Sequence, residues 1–200
     1  MDEWKSVLFS DGSRIALRGP DGHQCVYRRQ NDRFAPCAII KTVGYQGGFI
    51  MVWGGITCET RTDLVVFGTG SVNAQRYVEE VLQDHVVPFA PFIGDNFRLM
   101  HDNARCNTAK FVTQYLNAVG IQVLPWPARS PDLNPIEHIW DNLKRRVRAR
   151  VPAPTTLGEL KTVAVEERHN IAQSDIQDIM EGLPNRLQEV IRTRGGNTPY

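Results

Sequence analysis

Residues 126–150 have the sequence WPARSPDLNPIEHIWDNLKRRVRAR. The first half is a proline-rich loop with two helix-start signals, Ser130-Pro131 and Asn134-Pro135, because proline is well tolerated at the first position of a helix. The second half places apolar residues at helical spacing and becomes increasingly basic toward Arg150. The pattern predicts a loop followed by an amphipathic helix, with the carboxylate of Glu137 at the junction.

Glu137 can be interpreted as a purely structural residue that caps the start of the helix. If Asn134 is the N-cap and Pro135 the first helical residue, Glu137 takes the third helical position. A glutamate there reaches back to the backbone N–H of the cap. Such capping boxes are common, so Glu137 alone does not indicate catalysis, and its role depends on the other acids of the chain.

The composition limits the class of protein. Two hundred residues with 42% apolar content are enough for one globular domain with a substantial core. We expect neither a signal peptide nor a membrane span, because no stretch reaches about 18 consecutive apolar residues. The four cysteines and five histidines lack the paired spacing of zinc ligands, so we predict no zinc site.

The N-terminal two-thirds of the chain has the pattern of a sheet interrupted by helices. Two short strands, 7–9 and 15–17, are predicted on either side of a tight turn at 10–13, which puts Asp11 at the end of the first strand. Further strands are predicted at 49–56, 64–67, 97–101 and 121–124. Helical spacing predicts one helix from Asn73 to Pro88 and another from Thr108 to Val119.

The remaining segments complete a single domain over residues 1–200. Arg28 to Gly48 is polar and irregular, which fits either a β-arm or a mobile surface insertion. Residues 155–200 contain three apolar helical faces and predict C-terminal helices that cover the domain. Strands followed by alternating strands and helices indicate an α/β protein with a mixed sheet flanked by helices.

Three carboxylates fall where such a fold places its functional sites. Asp11 and Asp102 follow predicted strands and Glu137 begins a helix, so the three side chains should meet at one edge of the sheet. Clustered carboxylates repel one another unless a cation is present, and oxygen ligands favour Mg²⁺ or Mn²⁺. Two such ions about 3.5–4 Å apart can hold the attacking and leaving oxygens of a phosphoryl transfer. We predict phosphodiester cleavage or exchange, with Asp11 bridging two ions and Asp102 and Glu137 each holding one.

Positive charge is concentrated directly behind Glu137. The whole chain has a net charge of only +1, but residues 141–150 contain five basic side chains and one acid, a local net charge of +4. Lys144, Arg145 and Arg148 follow Glu137 at offsets that place them along the same side of the helix, where they can contact phosphates. A solvated basic face and a nuclear-import signal are the alternative interpretations of this run.

Several motifs in this order make the chain resemble the catalytic domain of mariner-like transposases, in the superfamily named for its DDE carboxylates. The motifs are LFSD at 8–11, MVWGGI at 51–56, HDNA at 101–104 and SPDLNPIE at 130–137, followed by HIW. The 34 residues between Asp102 and Glu137 match a spacing characteristic of one branch of that family.

The resemblance implies a ribonuclease-H-like fold with a five-stranded mixed sheet, and two Mg²⁺ ions for which Mn²⁺ can substitute. It implies Asp11, Asp102 and Glu137 as metal-binding and catalytic triad, and cleavage of double-stranded DNA at transposon ends followed by strand transfer. The segment from 28 to 48 corresponds to the family's β-arm, so Arg28 and Arg29 are expected to contact DNA or a partner subunit. Homodimers and a nuclear location are also expected.

The chain departs from the family pattern at three places. Gly12 stands where a glutamate is usual and should loosen the turn that aims Asp11, and Asn107 stands where a histidine is common. Only ten residues precede Asp11, so we expect the family's N-terminal helix-turn-helix region to be absent. The sequence is then a fragment, a decayed element, or a catalytic domain that works without its own sequence reader. Gly12 and the short N-terminus favour one alternative function, an inactive transposon-derived protein that binds DNA or a partner. A ribonuclease-H-like enzyme acting on RNA–DNA hybrids is a third hypothesis.

Overall fold

The structure, a computed structural model, describes residues 2–18, 47–68, 70–128 and 130–193. Its strands are β1 (Val7–Ala16), β2 (Phe49–Ile56), β3 (Val65–Val66), β4 (Arg98–Met100) and β5 (Gln122–Val123). Its α-helices are α1 (Asp2–Lys5), α2 (Ala74–Tyr77), α3 (Val87–Ile93), α4 (Lys110–Ala118), α5 (Ile136–Ala149), α6 (Leu157–His169), α7 (Gln173–Glu181) and α8 (Leu183–Arg192). A π-helical stretch, Val78–Val86, joins α2 to α3, and a 3₁₀ turn, Pro131–Leu133, precedes α5.

The five strands form one mixed sheet in the order β3-β2-β1-β4-β5. β1 pairs antiparallel with β2, and β2 pairs antiparallel with β3. On the other side, β1 pairs parallel with β4, and β4 pairs parallel with β5. The predicted mixed sheet flanked by helices is therefore confirmed, and β1 is its central strand.

Apolar side chains on the two faces of the sheet make two cores. Alternate residues of a strand point to opposite faces, so Phe9 and Ile15 of β1 pack with α5 and α6, whereas Leu8 packs with the helices before and after β4. Trp140 and Leu143 of α5 are fully buried in the first core. Helix α5 is thereby fixed across the face of β1 that also carries Asp11.

The first strand differs from the prediction. Residues 10–13 do not form a turn between two strands, because β1 runs without interruption from Val7 to Ala16 and pairs with β2 from Phe9 to Ala16. Gly12 lies opposite Trp53 in this ladder, so it does not loosen a turn. The eight-residue partner β2 supplies a hydrogen-bonded neighbour along the Ser-Asp-Gly-Ser segment, and this tertiary pairing overrides the local turn preference.

Two helix boundaries also differ from the prediction. Pro88 does not end the helical run, which continues to Ile93, because the hydrogen-bond register changes there and Pro88 lies in the first turn of α3. A missing backbone N–H costs little in a first turn. Helix α5 begins at Ile136 with Pro135 as its N-cap, one residue later than expected.

Some predictions fall on residues that the structure does not describe. Arg28, Arg29 and the predicted arm at 28–48, apart from its last two residues, lie outside the described ranges. The C-terminal helices are confirmed as α6, α7 and α8, up to Arg192. Among the described residues, no helix combines the length and apolar character needed to cross a bilayer.

Candidate active site

Asp11 is the acidic residue of a strand face that is otherwise apolar except for Ser13. It lies opposite Gly54 of β2 and points to the same side of β1 as Phe9 and Ile15, toward α5. The parallel pairing of β1 with β4 covers only Val7 to Phe9 of β1. Asp11 therefore lies just beyond that ladder, at the carboxyl end of β4, rather than at the end of its own strand.

Asp102 follows β4 directly and is held by two hydrogen bonds on one oxygen. Its Oδ1 accepts from the backbone N–H of Ala104 at 3.0 Å and from Nδ2 of Asn107 at 2.7 Å. Asn107 is the position where the family usually has histidine, and here its amide supplies the donor. These two bonds fix the rotation of the Asp102 carboxylate.

Glu137 sits in the first turn of α5, and its position is fixed by Asn134. Asn134 is buried, accepts a hydrogen bond from the N–H of Ile136 at 3.4 Å, and donates to the carbonyl of Ser10 at 3.5 Å. It thus ties the start of α5 to the residue before Asp11. The capping-box interpretation of Glu137 is wrong, because the backbone N–H of Asn134 donates to the carbonyl of Pro131.

The three predicted carboxylates meet in one cleft of about 370 Å³. The cleft is lined by Asp11, Asp102 and Glu137 together with residues of the loops at 103–104 and 126–134. The loop that the sequence marks with prolines therefore forms one wall. Residues separated by 91 and 35 positions in the chain are brought together here, as the sequence predicted.

Asp11 and Glu137 both have pKa values above the usual range of carboxyl groups. The pKa of Asp11 is raised from 3.8 to about 7, mainly by burial and also by the nearby charges of Glu137 and Asp102. Burial also raises the pKa of Glu137, while Lys144 opposes that shift. A cation in the cleft would relieve both the desolvation and the mutual repulsion.

The donor chemistry fits a hard divalent cation. Within the described residues, no three Asp, Glu, His or Cys side chains stand close enough to form a preassembled metal shell. The cleft nevertheless offers three carboxylates, two from the sheet and one from a helix start, and carboxylate oxygens are what Mg²⁺ and Mn²⁺ prefer. Asp11, Asp102 and Glu137 are the residues that would hold such ions.

Tyr77, His101 and Cys106 form a group next to Asp11 and Asp102 that was not predicted from the sequence. The hydroxyl of Tyr77 and Nδ1 of His101 lie 3.1 Å apart, and both side chains are buried. A cavity of about 140 Å³, lined among others by Tyr77, Cys106 and Asn107, lies behind Asp11 and Asp102. Only Asn107 carried a signal, as a departure from the family pattern; the role of Tyr77 depends on a contact 24 residues away.

The basic residues of α5 divide into two groups. Arg145 and Arg148 are exposed, and Lys144 is partly exposed and close enough to Glu137 to lower its pKa. Arg150 instead forms ion pairs with Glu166 and Glu167 of α6. Lys144, Arg145 and Arg148 thus remain the predicted phosphate contacts, whereas Arg150 connects two helices.

Residues 6–158 match the family model described as DDE superfamily endonuclease. The chain is also 33% identical to the Tcb2 transposase of Caenorhabditis briggsae, over 99% of this chain and 71% of that protein. It is 32% identical to the Tc3 transposase of Caenorhabditis elegans, over 98% of this chain and 59% of that protein.

The chain belongs to the DDE superfamily endonuclease family. It contains a transposase catalytic domain similar to those of the Tc1 and mariner elements. The described fold agrees with this assignment. The crystal structure of the catalytic domain of Mos1 mariner transposase superposes with a TM-score of 0.73 at 17% identity, over 98% of this chain and 85% of that one.

The Mos1 comparison confirms the ribonuclease-H-like fold of this DDE domain. A second Mos1 structure, the paired-end complex with Mn, has a TM-score of 0.76 at 19% identity and covers 96% of this chain and 56% of that chain. The Mos1 catalytic domain with raltegravir is known with Mg and with Mn. At this level of identity the likeness concerns the fold.

Proposed function

We propose that this domain cleaves DNA phosphodiester bonds at transposon ends and transfers the freed strand to a target. The observation that carries the proposal is the meeting of Asp11, Asp102 and Glu137 in one cleft. Each comes from a different motif of the family, and the burial and crowding that raise the pKa values of Asp11 and Glu137 favour a bound cation.

The carboxylates of the cleft and the residues that orient them have different roles in the proposed reaction. Asp11, Asp102 and Glu137 would hold two divalent ions, and bound ions would supply activation of the attacking oxygen and stabilisation of the leaving oxygen in an in-line displacement. Asn107 and Ala104 occupy Oδ1 of Asp102, which leaves Oδ2 for the cleft. Asn134 ties the start of α5 to the residue before Asp11, and Asp11 and Glu137 line the same cleft.

The basic side of α5 supports a DNA substrate. Arg145 and Arg148 are exposed beyond Glu137 on the same helix, and Lys144 lies between them and the cleft. Phosphate contacts of this kind bind DNA without reading its sequence. Mos1 transposase forms a strand transfer complex and a paired-end complex with the left transposon end, which supports transposon ends as the substrate proposed for this chain. The working unit that we propose is a homodimer. The nucleus is where such a substrate would be met.

A plasmid-nicking assay with carboxylate variants tests the proposal. The chain is incubated with supercoiled plasmid and either Mn²⁺ or Mg²⁺, and conversion to the open circle is followed over time. We expect nicking by the wild type and a fall of about 10³-fold or more in Asp102→Asn and Glu137→Gln, since each removes a carboxylate that would hold a metal ion at the reacting phosphate. Asp141→Asn is the matched control, because Asp141 is exposed one turn after Glu137 and does not line the cleft.

The assay also separates the alternatives. DNA binding by the wild type without metal-dependent nicking would favour an inactive DNA-binding protein and overturn the proposal. Faster cleavage of an RNA–DNA hybrid than of duplex DNA would instead favour a ribonuclease-H-like activity. Equal loss in Asp141→Asn and Asp102→Asn would show that the effect is not specific to the cleft.

A further inference from the structure

Trp140 carries a buried hydrogen-bond donor that the fold itself does not use. Its side chain is fully buried in the core between α5 and the sheet, and its Nε1 has no hydrogen-bond partner among the described residues. Buried N–H groups without a partner are rare in folded proteins, because removing the donor from water is costly. The surroundings of the indole ring should therefore explain why this donor is buried without a partner.

The part of the sheet that contacts the Trp140 ring lies next to Asp11. Cη2 of Trp140 lies 3.2 Å from the position that a Cβ on Gly54 would occupy. Gly54 is the ladder partner of Asp11, and directly opposed residues of two strands point to the same face. The indole ring thus packs over the site opposite Asp11, and the absence of a side chain at Gly54 makes room for it.

Helix α5 carries both the Trp140 indole and the carboxylate of Glu137, which lines the same cleft as Asp11. Trp140 follows Glu137 by three residues, so both side chains lie on the same face of the helix. The indole N–H also interacts with the Asp11 carboxylate, since it lowers the pKa of Asp11 against the larger opposing effect of burial. The indole thus lies near Asp11, although its Nε1 has no hydrogen-bond partner among the described residues.

We propose that Trp140 is a positioning residue for Asp11, whose indole N–H donates to the Asp11 carboxylate when a divalent ion is bound in the cleft. A carboxylate oxygen has two lone pairs, so Asp11 can accept from the indole and still present oxygen to an ion. Donors that orient a ligand carboxylate raise metal affinity. The inference rests on the proposed function, because it concerns the same carboxylate cleft.

A purely structural role for Trp140 gives different expectations. In that case the ring only fills the core, and its removal lowers stability without changing the metal affinity of the folded protein. Trp53 provides the matched comparison. It is 3% exposed, lies on β2 next to Gly54, and packs in the core on the other face of the sheet.

Metal affinity in Trp140→Phe and Trp53→Phe tests the proposal. Phenylalanine keeps an aromatic ring in each core and removes the N–H. Mn²⁺ binding to the folded chain is measured by isothermal titration calorimetry. We expect the dissociation constant to rise about 10-fold or more in Trp140→Phe and to stay at the wild-type value in Trp53→Phe. Equal affinities in wild type and Trp140→Phe overturn the inference alone, whereas no Mn²⁺ binding by the wild type overturns the proposed function and the inference with it.

A spectroscopic measurement on the wild type keeps the proposal testable if Trp140→Phe does not fold. The chain has four tryptophans, so a ¹⁵N-labelled sample gives four indole N–H resonances, assigned by single replacements of Trp4, Trp53 and Trp126. Saturating Mg²⁺ should move the Trp140 indole proton downfield as it forms a hydrogen bond, and Asp11→Asn should abolish that shift. A Trp140 resonance that does not respond to Mg²⁺, or responds equally in Asp11→Asn, overturns the proposal.

Discussion

Asp102 shows how two neighbouring donors fix the orientation of a carboxylate that we propose to be catalytic. Asn107 donates to Oδ1 at 2.7 Å and the N–H of Ala104 to the same oxygen at 3.0 Å. The Oδ1 atom of Asn107 is itself 3.4 Å from the thiol of Cys106, which donates to it. This small network holds Asp102 in one rotation, and a histidine is not needed at position 107 for the purpose.

Replacing Asn107 by leucine should therefore reduce activity without unfolding the chain. Leucine has a similar volume but no N–H, so Asp102 keeps its backbone donor alone and can rotate. We expect metal-dependent nicking to fall by about 10–100-fold, the usual effect of removing a group that orients a metal ligand. The rate at saturating Mn²⁺ and the concentration of Mn²⁺ for half-maximal rate are the quantities to measure.

The control for this variant lies on the next helix. Asn117→Leu makes the same change at an exposed position of α4, and we expect it to nick DNA like the wild type. Asn107→His, which introduces the family's usual residue, should retain a donor and most of the activity. Full activity in Asn107→Leu would show that the backbone N–H of Ala104 is sufficient to orient Asp102.

At the level of secondary structure, the helix after the loop at 126–135 has two separate faces. Its apolar face packs on β1 through Ile139, Trp140 and Leu143. On its polar face, the side chains of Arg145 and Arg148 are exposed. Arg150, which follows the last residue of the helix, forms ion pairs with Glu166 and Glu167 of α6. The basic run of the sequence is thus not one functional unit.

Salt dependence of DNA binding should separate these two groups of arginines. Removing one basic side chain that binds a phosphate changes the slope of log K against log salt by about 0.9 for duplex DNA. We expect Arg145→Gln with Arg148→Gln to reduce the slope by about 1.8 and to weaken binding to any sequence alike. Fluorescence anisotropy with a labelled duplex at several NaCl concentrations measures it.

Arg150→Gln is the matched variant on the same helix. It removes one positive charge but breaks the ion pairs with α6, so we expect a lower unfolding temperature and an unchanged slope. Equal slopes for the wild type and the double variant would place DNA on another surface.

The boundaries of the elements show what local sequence could and could not predict. The β-branched and aromatic run at 49–56 gave the bounds of β2 correctly. The Ser-Asp-Gly-Ser segment looked like a turn because each residue type favours turns, yet it is the middle of β1. Only the presence of β2 alongside, more than thirty residues later, makes it a strand, and no local signal contains that information.

For the molecule as a whole, the motifs predicted the site better than they predicted the structure around it. Asp11, Asp102 and Glu137 were named from family motifs and strand ends, and they do line one cleft. Tyr77, Trp140 and Arg186 were not, because their roles depend on contacts between distant segments. Motifs in the sequence name the three carboxylates, whereas the contacts that Tyr77, Trp140 and Arg186 make with distant segments appear only in three dimensions.

Arg186 of α8 connects the C-terminal helices to the first turn of α5, which carries Glu137. Its Nη1 lies in hydrogen-bonding contact with Nε2 of His138, the residue after Glu137, and its Nη2 donates to the carbonyl of Ile179 at 2.6 Å. The Arg186 side chain is only 6% exposed. Nε2 of His138 accepts this bond only when it carries no proton, and both burial and Arg186 lower the pKa of His138 accordingly.

Arg186→Met should therefore loosen the first turn of α5 from 48 residues away in sequence. Methionine keeps the apolar stem but removes the donors, which leaves the Ile179 carbonyl and His138 without this partner. We expect a loss of about 1–3 kcal/mol of stability, equivalent to a fall in unfolding temperature of roughly 2–12 °C for a chain of this size. Because Glu137 precedes His138, metal-dependent nicking should fall as well, even at temperatures where the variant is folded. Arg192→Met, on the same helix but at an exposed position where the arginine pairs with Glu189, should leave both quantities near the wild-type values. A variant at Arg186 that loses stability but nicks normally when folded would show that α8 covers the core without positioning Glu137.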